Sequence, residues 1–212
     1  LVKEFNSRGI KMKIYQRNTD LVSQQAGELI EMFNDLKNLK ELPDIVLSVG
    51  GDGTFLETML KVRDFGIPIA GVNTGRMGFL ANISEEEIGH SIDLLCEGRY
   101  NLVERSLIEI KQPYGFFDKE SSTALNEVTI QKVDPSMITI HVYVDGIYLN
   151  TYWADGLIIS TATGSTPVQV RTTTISSSVY LTCRFAETDI LTVLPEIGRA
   201  TSELQSRQYL VC

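Results

Sequence analysis

Asp44-Ile-Val-Leu-Ser-Val-Gly-Gly-Asp-Gly-Thr-Phe-Leu-Glu57 decides how the first half of this chain folds. From Asp44 to Gly50 it is a short, nearly unbroken apolar run, rich in β-branched residues and ending in glycine. That is the pattern of a strand buried in a parallel sheet. A helix-like stretch follows from Phe55 to Phe65. Between them stands Gly50-Gly51-Asp52-Gly53-Thr54, with three glycines in four positions. Glycine removes side chains where a backbone turns tightly and comes close to a ligand. The helix N-terminus beyond offers unpaired N–H groups and positive dipole to a phosphate. The loop is neither a Gly-x-Gly-x-x-Gly dinucleotide fingerprint nor a Walker loop, which needs Gly-Lys followed by Ser or Thr. Asp52 is its informative residue. A carboxylate repels phosphate, so Asp52 is there to accept a proton, hold a hydroxyl or bind a divalent cation. The competing reading is a tight turn in which Asp52 caps the helix.

The neighbouring segments extend this pattern. Ile67-Pro-Ile-Ala-Gly-Val72 reads as a second strand. Upstream, Leu21, Val22, Ala26, Leu29, Ile30, Phe33 and Leu36 recur at helical spacing and predict a helix over Leu21 to Leu42. Ser84-Glu-Glu-Glu87 is a capping box opening a helix that reaches about Cys96. Residues 1–100 are therefore expected to form an α/β domain, an open parallel sheet with helices. From Tyr100 the pattern changes. Asn101 to Lys111, Ala124 to Val133, Met137 to Val144, Ile147 to Trp153 and Gly156 to Thr161 are β-rich runs separated by turns such as Asp134-Pro135 and Asp145-Gly146. Residues 101–167 are expected to form an all-β domain. Residues 168–212 differ again: they hold no Lys and a single Gly, where the preceding residues hold nine Lys and 15 Gly. They read as a divergent tail.

Bulk properties narrow the function. At 212 residues the chain has room for one large domain or two small ones, and no apolar run approaches the length of a membrane helix. A net charge of −8 argues against a nucleic-acid surface, which needs clustered Lys and Arg. It leaves room for a small anionic ligand held by backbone N–H groups. Cys96, Cys183 and Cys212 are widely spaced and odd in number, which points to a reduced cytoplasm rather than a disulfide framework or a zinc site. No signal peptide is visible, and because the sequence starts at Leu1 rather than Met a preceding piece stays open. His90 and His141 lie in no motif, so neither a His-based metal site nor a triad is expected.

Four motifs in order carry a family resemblance: Gly50 to Thr54, Asn73-Thr-Gly-Arg-Met-Gly-Phe79, Leu125-Asn126-Glu127-Val128, and Asp155-Gly-Leu-Ile-Ile-Ser-Thr-Ala-Thr-Gly-Ser-Thr166. Over residues 10–167 the chain resembles the NAD kinases. The first motif alone also resembles diacylglycerol and sphingoid lipid kinases, which stay open as an alternative. The resemblance implies phosphoryl transfer from ATP or another donor, with Mg²⁺, to the 2′-hydroxyl of the adenosine ribose of NAD. By resemblance Asp52 is the catalytic carboxylate near that hydroxyl, Gly53 lies against the ligand, and Gly50, Gly51, Gly53 and Thr54 form the phosphate loop. Likewise Asn73 and Phe79 contact NAD, Phe79 beside the adenine; Asn126 and Glu127 bind the adenosine, and Asp155 and Thr166 serve the rest of the dinucleotide. Taken without the resemblance, Asn73 and Thr74 read as a strand-end turn, Phe79 as core, and Asn126-Glu127 as an exposed polar turn. Adjacent strand residues face opposite ways, so Asn126 and Glu127 serve one ligand only near a bend. The family also implies a dimer or tetramer.

Agreement stops after Pro167. The family continues with a Tyr, small residues and a Gly-Gly pair; Val168-Gln-Val-Arg171 stands here instead. The β domain is therefore expected to be incomplete. So abrupt a loss fits a truncated, frameshifted or damaged copy, and an inactive NAD kinase fragment is the third reading. Translating the other two frames after codon 167 tests it.

Overall fold

The computed structural model describes residues 1–15, 30–75, 78–112, 122–133, 135–164, 182–185 and 190–195. They fall into two compact units, one of the described residues among 1–105 with 190–195, the other of those among 106–185.

The first unit opens with helix α1 (Val2–Ser7) and strand β1 (Met12–Tyr15), which pairs in parallel with β2 (Ile30–Phe33). The pair closes on Tyr15 and Phe33, whose rings meet edge to face at 5.7 Å. This corrects the helix predicted over Leu21 to Leu42. Ile30–Phe33 is a strand and Leu36–Asn38 a single 3₁₀ turn capped by Asp35, while residues 21–29 lie outside the described residues. A few apolar residues fit a helix face and a short strand alike, and a parallel neighbour that completes the ladder decides for the strand.

The main sheet has the order β3 (Val46–Val49), β4 (Ile69–Val72), β13 (Ile190–Pro195), β5 (Tyr100–Arg105). Strand β3 (Val46–Val49) leads through helix α2 (Asp52–Val62) to β4 (Ile69–Val72), which runs parallel to it in the register Val46 to Ile69 through Val49 to Val72. This β3-α2-β4 crossover matches the strand, glycine loop and helix read from the sequence. Helix α2 starts at Asp52 and buries Phe55, Met59 and Val62, one face at helical spacing. Beneath them β4 is buried throughout, because parallel strands are covered on both faces. Helix α3 (Ile88–Cys96) buries Ile92 and Leu94. The capping box expected at Ser84–Glu87 forms only in part: the Ser84 hydroxyl accepts from the Glu87 N–H at 3.3 Å and donates to the Glu87 carboxylate at 2.9 Å, while Glu87 itself takes the N-cap position without a side-chain cap. The helix itself starts just beyond that turn, at Ile88.

Strand β13 (Ile190–Pro195) pairs in parallel with β4 at Thr192–Ile69 and antiparallel with β5 (Tyr100–Arg105). The tail thus supplies a central strand of this sheet, and the sheet is parallel apart from its β5 edge. β5 starts where the sequence pattern changes yet belongs to the first unit, because its partner β13 does.

The second unit is β-rich throughout its described residues. β6 (Ile108–Gln112) lies between β12 (Thr182–Phe185) and β7 (Thr123–Ala124); β8 (Glu127–Gln131) pairs with β11 (Gly156–Ser160); β9 (Ile138–Val144) and β10 (Ile147–Ala154) form a hairpin. Asp145 and Gly146, at φ 52° and 80°, make its turn. Positive φ at both central residues is what a two-residue turn requires to match strand twist. Leu107, Ile108, Leu125 and Val128 are buried, whereas Ile147 and Trp153 on the hairpin are exposed.

Candidate active site

Each unit carries its own set of site residues. In the first, β3 delivers the chain to the helix start through Gly50, whose N–H donates to the Val72 carbonyl at 2.9 Å. Its φ of 151° is open to glycine, and a Cβ there would strike the Thr54 side chain. Gly51 caps α2 without any side-chain cap, so Asp52, the first helical residue, does not cap its own helix. Its carboxylate instead reaches forward in the chain. Oδ2 accepts the Phe79 N–H at 2.9 Å, and Oδ1 accepts those of Leu80 and Ala81 at 3.0 and 3.1 Å. Burial opposes ionisation of this carboxyl, but the N–H bonds from Ala81, Phe79 and Leu80 outweigh it and hold its pKa below the ordinary value.

The segment after β4 brings those donors into place. Asn73 Oδ1 accepts from the Gly75 N–H at 2.8 Å and its amide donates to the Ala81 carbonyl at 3.4 Å, so this buried side chain braces its own loop. The returning chain then lies along β4: the Asn73 N–H donates to Ile83 and the Ile83 N–H to Gly71. A Cβ on Gly71 would meet the Ala81 backbone at 2.6 Å, and one on Gly78 would coincide with the Asp52 carboxylate. Both glycines are there for close packing. A Cβ on Gly51 or Gly53, both exposed, would meet nothing within 4 Å, so internal packing does not require glycine at either. Phe79 is not core: it is 57% exposed, with the Arg105 guanidinium 5.7 Å from its ring centre.

In the second unit Asn126 lies at the bend just before β8 and Glu127 is the first residue of that strand. This is the position from which adjacent residues can serve one ligand. Opposite Glu127 stands Ser160, and the chain leaves β11 there into a tight loop built on buried Thr161. The Thr161 hydroxyl donates to the Leu125 carbonyl at 2.5 Å and accepts the N–H groups of Thr163 and Gly164 at 3.1 and 3.3 Å. The Thr161 N–H donates to the Asn126 carbonyl at 2.9 Å, and a Cβ on Gly164 would collide with the Asn126 backbone. Asn126, Glu127 and the 161–164 loop therefore share one end of the β8–β11 pair. Asp155 stands at the other, about 17 Å away along the strands at ~3.4 Å per residue. There its carboxylate, 73% exposed, pairs with Lys132 Nζ at 2.5 Å. Thr166 lies outside the described residues.

Gly78, Thr161 and Arg105 do not stand out as site residues in the sequence. Gly78 is legible only as the second glycine of Asn73-Thr-Gly-Arg-Met-Gly-Phe79, and Thr161 as the threonine closing an apolar strand before Thr163-Gly164. No local pattern marks Arg105.

A glycine loop at a helix start, on a parallel β-α-β crossover, with a carboxylate held inside that loop, defines the first unit as an α/β fold; the second unit is β-rich. Residues 7–100 match the ATP-NAD kinase N-terminal domain and residues 125–169 the ATP-NAD kinase C-terminal domain. The chain belongs to the NAD kinase family.

Among its relatives, the NAD kinase of Cytophaga hutchinsonii is 43% identical over 78% of this chain and 58% of its own. That of Flavobacterium psychrophilum is 46% identical over 76% of this chain and 56% of its own. The chain thus spans somewhat over half the length of these curated relatives. The fold resembles that of yeast NADH kinase solved with NADH, at a TM-score of 0.65, 19% identity, and coverage of 78% of this chain and 52% of that one. It also resembles an NAD kinase from Archaeoglobus fulgidus solved with ATP, at a TM-score of 0.58, 21% identity, and coverage of 87% and 93%.

Proposed function

We propose that this chain transfers the terminal phosphoryl group of ATP to the 2′-hydroxyl of the adenosine ribose of NAD, giving NADP and ADP. One observation carries the reading. At the uncapped start of α2, a carboxylate fixed by three backbone N–H groups is flanked by Gly51 and Gly53, which packing does not require. A ligand that needs close backbone approach accounts for those glycines, and the helix N-terminus suits its phosphates. In the transfer the 2′-oxygen bonds to the terminal phosphorus, the bond from that phosphorus to the ADP oxygen breaks, and the hydroxyl proton passes to solvent water. Asp52, held ionised, accepts a hydrogen bond from the hydroxyl and orients it. That is a sufficient role, because phosphoryl transfer depends chiefly on positioning and charge stabilisation.

Asn126 and Glu127 at their bend offer an amide and a carboxylate, which fit an adenine edge and a ribose diol. Phe79, Asn73, Asp155 and Thr166 complete the NAD contacts in this reading, with Asn73 acting through its loop. Among the described residues no group of three His, Cys, Asp or Glu could hold a metal ion. Magnesium would come bound to the phosphates, as is usual for that ion, and would neutralise charge on their oxygens. A cytoplasmic homo-oligomer completes the proposal; no helix among the described residues is long and apolar enough to cross a membrane.

The test is purified protein with NAD, ATP and Mg²⁺, followed for NADP, beside Asp52→Asn. Product from the wild type and a large loss in Asp52→Asn are expected. Equal product from both removes Asp52 from its role. A second reading, an inactive copy, is favoured by the family match ending at residue 169 while the chain continues with unmatched sequence. Folded protein that binds NAD without making NADP would support it. The comparisons lend no support to the lipid kinase alternative.

A further inference from the structure

Phe79 is an exposed aromatic ring placed directly beside the Asp52 carboxylate through its own N–H. Such a ring needs something to hold it, since an exposed Phe gains little from burial. The Arg105 guanidinium lies over it, 5.7 Å from the ring centre, within cation–π range. Arg105 is in turn tied into the sheet. Its Nε donates to the Thr192 hydroxyl at 3.3 Å, and that hydroxyl donates to the Val103 carbonyl at 3.0 Å. Thr192 is only 4% exposed and sits on β13 opposite both Ile69 of β4 and Val103 of β5. A guanidinium held over an aromatic ring fixes the ring's orientation and leaves its remaining exposed surface for a flat heterocycle.

We infer that Arg105 is a positioning residue: anchored by Thr192 of β13, it holds the Phe79 ring as a platform for a flat ring of the bound nucleotide. This rests on the NAD kinase reading and goes beyond it. It makes a residue of the divergent tail part of the site's support, so Thr192 tunes ligand affinity through Arg105. Burial lowers the pKa of Arg105, yet a guanidinium stays charged near neutrality.

The test labels the protein with 4-fluorophenylalanine, assigns the Phe79 ¹⁹F resonance with Phe79→Leu, and titrates NAD by calorimetry. It compares Arg105→Met, Arg105→Lys, Thr192→Val and Thr192→Ser with the wild type. Arg105→Met and Thr192→Val should move the Phe79 resonance and weaken NAD about two- to fivefold, the scale of an exposed cation–π contact. In turnover, KM for NAD should rise by more than kcat falls. Arg105→Lys and Thr192→Ser, which keep the cation and the hydroxyl, should retain most of the affinity. An unmoved Phe79 resonance in Arg105→Met, with NAD binding intact, overturns this inference alone. Equal losses in Thr192→Ser and Thr192→Val also overturn it, since only packing at β13 would then matter. Wild-type protein that binds no NAD overturns the function proposed above, and the platform role with it.

Discussion

Asp52 and Gly78 compete for one space. A Cβ built on Gly78 would coincide with the Asp52 carboxylate, which accepts the N–H groups of the three residues following Gly78. The absence of a side chain at residue 78 is what lets a carboxylate from the start of α2 sit within reach of those donors.

Gly78→Ala should therefore be costly out of proportion to one methyl group. Overpacking of this kind costs about 1–3 kcal/mol. Urea unfolding should show a loss in that range, and NADP formation should fall because Asp52 is pushed from its position. Unchanged stability and activity would mean the carboxylate moves aside freely and its geometry is not critical.

The same carboxylate sets an acid dependence. Its folded pKa lies below the ordinary value, so its stabilising contribution is fully present above the unfolded pKa and is lost as pH falls through the folded one. Thermal unfolding of the wild type and Asp52→Asn should differ by a constant amount above about pH 5 and converge below it. A gap that widens in acid would reverse the sign and refute the assignment.

Thr161 organises the loop at the Asn126 end of β8 through one bond given and two accepted. Thr161→Val keeps the shape but removes the hydroxyl's bond to the buried Leu125 carbonyl and the two it accepts, which costs about 1–3 kcal/mol. Thr161→Ser should recover most of it. Hydrogen exchange at the Thr163 and Gly164 amides should accelerate in the valine variant only; equal rates in both would show that the hydroxyl is not what holds the loop.

Asp155 separates fold from function. Its partner Lys132 is paired at the surface, where such bonds contribute about 0–1 kcal/mol. Asp155→Asn should leave the unfolding midpoint nearly unchanged while weakening NAD, and Lys132→Met should leave Asp155 unpaired and preserve binding. If Asp155→Asn binds NAD as the wild type does, Asp155 belongs to the Lys132 pair and not to the site.

Much of this was readable in the chain because it is local. Gly50 to Thr54 announces a turn and a helix start through backbone sterics within a few residues, and Asp145-Gly146 announces its hairpin through the positive φ that both adopt. The helix expected across Ile30 to Phe33 failed for the complementary reason: over so short a run periodicity is ambiguous, and β1 decides. The tail looked featureless because a central strand of four to six residues leaves little periodicity to read, yet Ile190–Pro195 completes the main sheet.

Residue order alone dictates the motifs, the chemistry they carry and the family they belong to, since these depend on side-chain type and short spacing. Folding alone decides that Asp52 is held by Phe79, Leu80 and Ala81 rather than capping its helix, and that Arg105 rests on Thr192, 87 residues away. Those pairings follow from which strands lie side by side, and sheet order is set by the burial and hydrogen bonding of the whole chain, which no short window records.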